Sequence, residues 1–238
     1  MTFSVIQISA TLAPLLVALA CLMAWRYLDG GRHLLFWALG HALLAIAFLL
    51  LAVAQLGPGT LPAVFAALCA VSSAIVFVSG IRVLIGRNDR MAISLLVGAA
   101  VTIVVVLAQT QWRYTFYTSA PFVSMLCFFY AGGLLLMKQR TIIYTVTGII
   151  LLARGGLSAL YTQRLVDRTT SMDSALALST LLILLTGIGL MMIEFDNARR
   201  SERRARESEH DSTQFLQTLL DAMPATMSYK DRDLRYRL

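Results

Sequence analysis

Charge is what this chain has least of. Asp, Glu, Lys and Arg make up 14% of its 238 residues, against about a quarter in soluble domains, while 58% are hydrophobic. Even this small complement is uneven, because 17 of the charged residues follow Phe195. The segment before Phe195 therefore has the composition of a membrane protein and leaves no room for a large soluble catalytic domain. Cysteine is also scarce. Cys21, Cys69 and Cys127 stand singly in apolar runs, which excludes a disulfide framework and any CxxC or zinc spacing and leaves them as buried thiols. The last apolar run holds no lysine for a retinal Schiff base, and HExxH, P-loop, GxSxG and GGDEF motifs are all missing, so the chain is not expected to be catalytic itself.

What is present is a series of apolar runs. Seven spans of bilayer-crossing length are expected, over 6–25, 34–55, 61–84, 91–108, 116–137, 141–161 and 175–194. Turn-forming residues separate them, at Asp29-Gly30-Gly31, Gly57-Pro58-Gly59, Gly86-Arg87-Asn88-Asp89-Arg90 and Lys138-Gln139-Arg140. Basic residues gather in alternate loops: Arg26 and Arg32 in the first, Arg82, Arg87 and Arg90 in the third, Lys138 and Arg140 in the fifth. The second loop has no charge, the fourth holds Arg113, and in the sixth Arg164 and Arg168 are offset by Asp167 and Asp173. The positive-inside rule then puts the amino terminus outside and the carboxyl-terminal segment in the cytoplasm, as expected for a multi-pass membrane protein. Trp25, Tyr27, Phe36 and Trp37 fall at the inner boundary, and Trp112, Tyr114 and Tyr117 at the outer one. The net charge of +7 fits contact with anionic lipid, and nucleic acid is not an expected partner.

After Phe195 the sequence becomes a charged helix. Phe195, Ala198, Glu202, Ala205, Glu209, Ser212, Leu216, Leu219 and Met223 follow alternating steps of three and four, a heptad seam with a polar middle. Such a seam predicts a weak parallel homodimer through a signalling helix. Pro224 should end the helix, and a strand, a charged turn and a second strand should follow. The stretch Phe215-Leu216-Gln217-Thr218-Leu219-Leu220-Asp221-Ala222-Met223-Pro224, with Ala225 to Leu238 after it, resembles the opening of a PAS domain. The resemblance covers about 24 residues, departs from the family pattern at Leu234, where glycine is common, and stops before a PAS fold can close. It implies an α/β domain continuing in a longer signalling protein. The expected organisation is thus a seven-helix all-α membrane domain over 1–194, a cytoplasmic linker or coiled-coil helix over 195–214, and the start of a PAS domain over 215–238.

A second resemblance lies in the membrane segment. His33-Leu34-Leu35-Phe36-Trp37-Ala38-Leu39-Gly40-His41-Ala42-Leu43-Leu44-Ala45 and Ser79-Gly80-Ile81-Arg82-Val83-Leu84-Ile85-Gly86-Arg87 look like the bacterial membrane sensor modules upstream of PAS and GGDEF or EAL domains, which share a Trp in the second helix and a Gly-x-Arg ending the third. The resemblance implies sensory input to cyclic di-GMP synthesis or breakdown by a diguanylate cyclase or phosphodiesterase, with a histidine kinase as the other output.

Two ionisable residues stand inside the spans. Arg154 lies about 20 Å along its span, in the outer half of the membrane. One reading is structural, with the side chain snorkelling outward or bonding carbonyls near Gly155-Gly156. The other is an anion site for a carboxylate or lipid-like small molecule, which Gln109, Gln111, Trp112, Arg113, Tyr114, Tyr117 and Tyr161 share by depth. His41 sits about 12 Å from His33 on a similar helix face. It can hydrogen-bond a neighbouring helix, take part in proton or quinone sensing, or ligate haem or copper with help from elsewhere; no cofactor is otherwise evident. His33 reads as interfacial and His210 as solvated. Gly132-Gly133 and Gly187-Ile188-Gly189 permit close helix contact. A transporter would instead show inverted repeats, helices broken near the midplane and several buried polar groups, and a plain membrane anchor needs none of these features.

Overall fold

The computed structural model describes residues 5–27, 31–56, 61–86, 112–138, 141–167, 172–222, 229–230 and 236–237. Within these, side chains at 5–6, 54–56, 61, 63–64, 112–120, 161–167, 172–175 and in the two short strands are not described. Six helices occur among the described residues: α1 Val5–Tyr27, α2 Arg32–Leu56, α3 Leu61–Leu84, α4 Trp112–Lys138, α5 Ile142–Asp167 and α6 Met172–Ala222. All six are long and apolar enough to cross a membrane. They correspond to six of the seven expected spans, and the remaining one, 91–108, lies outside the described residues. Backbone amides in hydrocarbon must bond within their own segment, which is why runs of this length fold as helices. Pro14 and Pro121 lie inside α1 and α4, so those two spans continue through a proline.

The expected breakers end the helices. At the end of α3 the chain turns at Gly86, whose φ of 79° belongs to the left-handed region that favours glycine. The Ile81 and Val83 carbonyls accept from the amides of Ile85 and Gly86, and the freed Ile85 carbonyl accepts from Lys138 Nζ at 2.8 Å. This cross-link puts the end of α4 beside the end of α3. The start of α2 lies at the same end of the bundle: a Cβ on Gly80 of α3 would meet the Trp37 ring at 2.5 Å and the His33 carbonyl at 3.2 Å. Arg32, Arg82 and Lys138 therefore gather at one end, as their alternate-loop positions anticipated.

The chain divides into two compact units, Met1–Glu194 and Phe195–Leu238. In the first, polarity is reversed relative to a soluble protein. Leu15, Leu16, Leu19, Leu39, Leu49, Leu126, Ile149, Leu181 and Ile188 are exposed, whereas His33, His41, Ser73, Ser79, Arg82, Thr147, Arg154, Thr186 and Glu194 are buried. An apolar exterior with polar groups turned inward is the arrangement that lipid solvent favours. The core joins Val17 and Cys21 of α1, Leu34 and Trp37 of α2, Phe77 and Ile81 of α3, Phe128 and Leu135 of α4, Leu151 of α5, and Ile183 and Leu190 of α6. Three buried hydroxyls bond within their own helices, Ser79 donating to the Ile75 carbonyl, Thr147 to that of Ile143 and Thr186 to that of Leu182.

Small residues set the tightest approaches. A Cβ on Gly132 of α4 would lie 2.8 Å from the Gly148 carbonyl oxygen of α5, and one on Gly148 3.1 Å from that of Gly132. On α6, Cβ atoms at Gly187 and Gly189 would run into Val17 of α1 and Thr147 of α5. Gly132, Gly187 and Gly189 thus serve the close contacts expected of them, while nothing lies within 4 Å of a Cβ at Gly133.

Helix α6 carries the last span, the expected linker helix over 195–214 and the first residues of the segment from 215. It is one helix of 51 residues. No Gly or Pro occurs between Gly189 and Pro224, and the i, i+4 pairs Asp196–Arg200 and Glu202–Arg206 support the polar part. It stops two residues before Pro224. The second unit ends in a two-residue antiparallel ribbon, Tyr229–Lys230 with Tyr236–Arg237, in the order strand, charged segment, strand.

Candidate functional site

Helix α2 presents two buried histidines. His33, in its first turn at the end of a span, is buried against its neighbours at 9% exposure. Its Nε2 lies 2.7 Å from Oε2 of Glu194, a buried contact between residues 161 positions apart. Trp37 stands one turn along, its ring edge-on to His33 with centroids 5.0 Å apart. Trp37 also covers Gly80, so the tryptophan of the second span and the Gly-x-Arg of the third meet in space, with Arg82 buried beside them.

One further turn along, His41 is 1% exposed. Its Nδ1 bonds the Trp37 carbonyl at 2.8 Å. A carbonyl only accepts, so Nδ1 carries the hydrogen, and in the neutral imidazole Nε2 is left with a lone pair. Nε2 is buried and has no hydrogen-bond partner among the described residues. The imidazole edge meets Phe77 of α3 at 5.6 Å between centroids, and Phe77 meets Phe128 of α4 at 5.8 Å.

Arg154 of α5 reaches this aromatic pair from the other side. It is 6% exposed, and its guanidinium carbon stands 4.2 Å from the centroid of the Phe128 ring. The backbone carbonyl of Arg154 accepts from Ser158, and the helix is unbroken through Gly155-Gly156. Nη1 is buried without a hydrogen-bond partner among the described residues. Four helices thus converge on an aromatic pair flanked by one cation and one imidazole, each with an unused polar atom.

The other residues assigned to an Arg154 site by depth are only partly visible. Trp112, Arg113, Tyr114 and Tyr117 belong to α4 and Tyr161 to α5, but their side chains lie outside the described residues, as do Gln109 and Gln111 altogether. Among the described residues no group of three or more His, Cys, Asp or Glu side chains is placed to hold a metal ion. Phe77, Phe128 and Glu194 were not singled out in the sequence. The two phenylalanines look like any others in an apolar run, and Glu194 carried one signal, being the acidic residue that ends a span. In the second unit, seam residues Leu216 and Leu219 are exposed, and so is Ala205; Phe195, the first seam residue, is 52% exposed.

No family model, curated protein or solved structure matches this chain.

Proposed function

We propose that the chain is the membrane sensory input of a bacterial signalling protein, relaying ligand binding among the spans through its last helix to cytoplasmic output domains. The observation that carries this reading is α6, a single helix that belongs to the buried core at Ile183, Leu190 and Ile193 and extends as a polar, heptad-patterned segment to Ala222. A helix gripped at one end and polar at the other can pass a rotation or a small axial shift along its length. Its grip on the core includes His33–Glu194 at the last residue of the first unit. A membrane anchor requires no such buried pair.

In this reading the basic end of the bundle faces the cytoplasm, the polar helix pairs with a second copy, and a PAS domain begins near Phe215. Output through GGDEF or EAL domains controlling cyclic di-GMP rests on the sequence resemblance alone. The test is to fuse residues 1–222 to a reporter diguanylate cyclase with one to seven helix-forming residues inserted at the junction. Output that rises and falls with the heptad phase, and that changes on His33→Ala, supports a sensor. Constant output in all fusions overturns it in favour of an anchor or a transporter.

A further inference from the structure

The charges that follow the last span are sorted along α6. No Asp, Glu, Lys or Arg occurs from Ala175 to Ile193, a run of 19 residues or about 28 Å of helix, which matches the hydrocarbon layer. Beyond it, residues 196–206 hold Arg199, Arg200, Arg203, Arg204 and Arg206 against Asp196 and Glu202, a net charge of +3. Residues 207–222 hold Glu207, Glu209, Asp211 and Asp221 and no Lys or Arg, a net charge of −4 with His210 neutral. The sign therefore reverses about 18–20 Å past Glu194 along the helix.

Within the basic half the arginines share one side. At about 100° per residue they fall in a sector of about 160°, which leaves out Ala198, Glu202, Ala205 and Glu209 of the heptad seam. Two are neutralised along the helix, Arg200 by Asp196 and Arg206 by Glu202. Arg199, Arg203 and Arg204 are exposed and have no ion pair or hydrogen bond among the described residues. They stand about 8, 14 and 15 Å past Glu194. The headgroup layer adds about 5–8 Å outside the hydrocarbon, so all three lie within a Debye length, about 8–10 Å, of its phosphates. Helix side chains also lean toward the amino terminus, which for α6 is the membrane end.

An acidic phospholipid surface matches this sorting. Its negative charge lies beside the unpaired arginines, where each basic residue gains attraction. The same surface repels the acidic half, so α6 cannot lie flat on it without bringing four carboxylates down. A nucleic acid or acidic protein long enough to cover the helix would meet both halves. A headgroup layer ends where the arginines end. Pairing of two copies through the seam leaves the arginine side outward, toward the surrounding lipid.

We infer that Arg199, Arg203 and Arg204 form a docking surface for the headgroups of acidic phospholipids, so that the anionic lipid content of the membrane acts on the base of α6. An anchor with the same helix would dock in the same way, so this surface stands or falls apart from the sensor reading.

The experiment uses the whole chain in phosphatidylcholine nanodiscs, with a donor fluorophore on Ser201→Cys. A membrane-impermeant reagent spares Cys21, Cys69 and Cys127, which stand inside the spans. Trace phosphatidylglycerol or phosphatidylcholine, each dye-labelled on the acyl chain, accepts the energy, and the ratio of the two transfers reads local enrichment. Expected is enrichment of phosphatidylglycerol by about threefold or more in 0.1 M salt, lost at 1 M, where the Debye length falls to about 3 Å. Arg199→Gln, Arg203→Gln and Arg204→Gln together should remove at least about half of it, while the basic loops of the bundle keep the remainder and the topology. Soluble glycerol phosphate should displace the lipid no more than sodium chloride of equal ionic strength. The salt comparison on the chain with all its arginines stands even if the triple variant fails to fold. Equal transfer to the two lipids, or enrichment unchanged by 1 M salt or in the folded triple variant, overturns the proposal and leaves the arginines to an acidic protein or to topology alone. Displacement by glycerol phosphate beyond the salt effect overturns it in favour of a soluble anion.

Discussion

His33 in the first turn of α2 and Glu194 of α6 meet at 2.7 Å with side chains 11% and 8% exposed. The pair ties the second span to the last where the first compact unit ends. The edge of Trp37 packs against His33, and Glu194 follows the core residue Ile193 in α6. Removing one partner leaves the other buried without its bond. His33→Ala or Glu194→Ala should therefore destabilise the membrane unit by about 3 kcal/mol, the size seen when a buried pair is broken on one side. Glu194→Gln keeps an acceptor for the imidazole and should lose less. Thermal unfolding of the purified chain in detergent checks this, with the double variant closing the cycle. Single variants as stable as the parent would show that the contact contributes nothing.

The Gly132–Gly148 contact makes a contrast between neighbours in sequence. Gly132→Ala must push a methyl group against the α5 backbone and should cost about 1–3 kcal/mol. Gly133→Ala meets nothing and should be neutral or stabilising by about 0.5–1 kcal/mol, since alanine is the better helix former. Stability measurements on the two variants read the difference directly. Equal effects would mean that α4 and α5 do not approach through Gly132.

The exposed seam of α6 calls for a partner. Cysteines introduced at Ala205, Leu216 and Leu219 should form disulfide dimers in native membranes, while cysteines at Arg204 and Gln217, off the seam, should cross-link more weakly. Absence of cross-linking at all three seam positions would refute the parallel pairing.

Orientation is open to a direct test. Alkaline phosphatase fused after Gly86 or Lys138 should be inactive and green fluorescent protein there fluorescent, with the opposite pattern after Gly57. The reverse result would place the basic end outside.

The residues that could be read correctly from sequence were those whose meaning is local. Apolar length and turn residues placed the helices that the structure describes, and Pro224 placed the end of α6. Alternation of basic loops anticipated that Arg32, Arg82 and Lys138 share one end. Pairings across the bundle had no such signal. His33 and Glu194 are 161 residues apart, and each alone resembles an ordinary end-of-span residue. His41 and Arg154 were both conspicuous as ionisable groups in apolar runs, yet their convergence on Phe77 and Phe128 depends on how α2, α3, α4 and α5 lean together. The continuity of α6 was legible because no Gly or Pro interrupts residues 190–223, although composition changes sharply at Phe195.

The span between His33 and Glu194 also sets a schedule for synthesis. At ribosomal rates of about 5–20 residues per second, the 161 intervening residues take roughly 8–30 s to appear. Lys138 likewise reaches the ribosome well after the Ile85 carbonyl it caps. During that interval the amino-terminal spans sit in the membrane with a histidine and a helix end still waiting for partners. The bundle is closed from its carboxyl-terminal side, so a nascent chain that stalls before α6 leaves an open seam at the basic end for assembly factors and proteases to recognise.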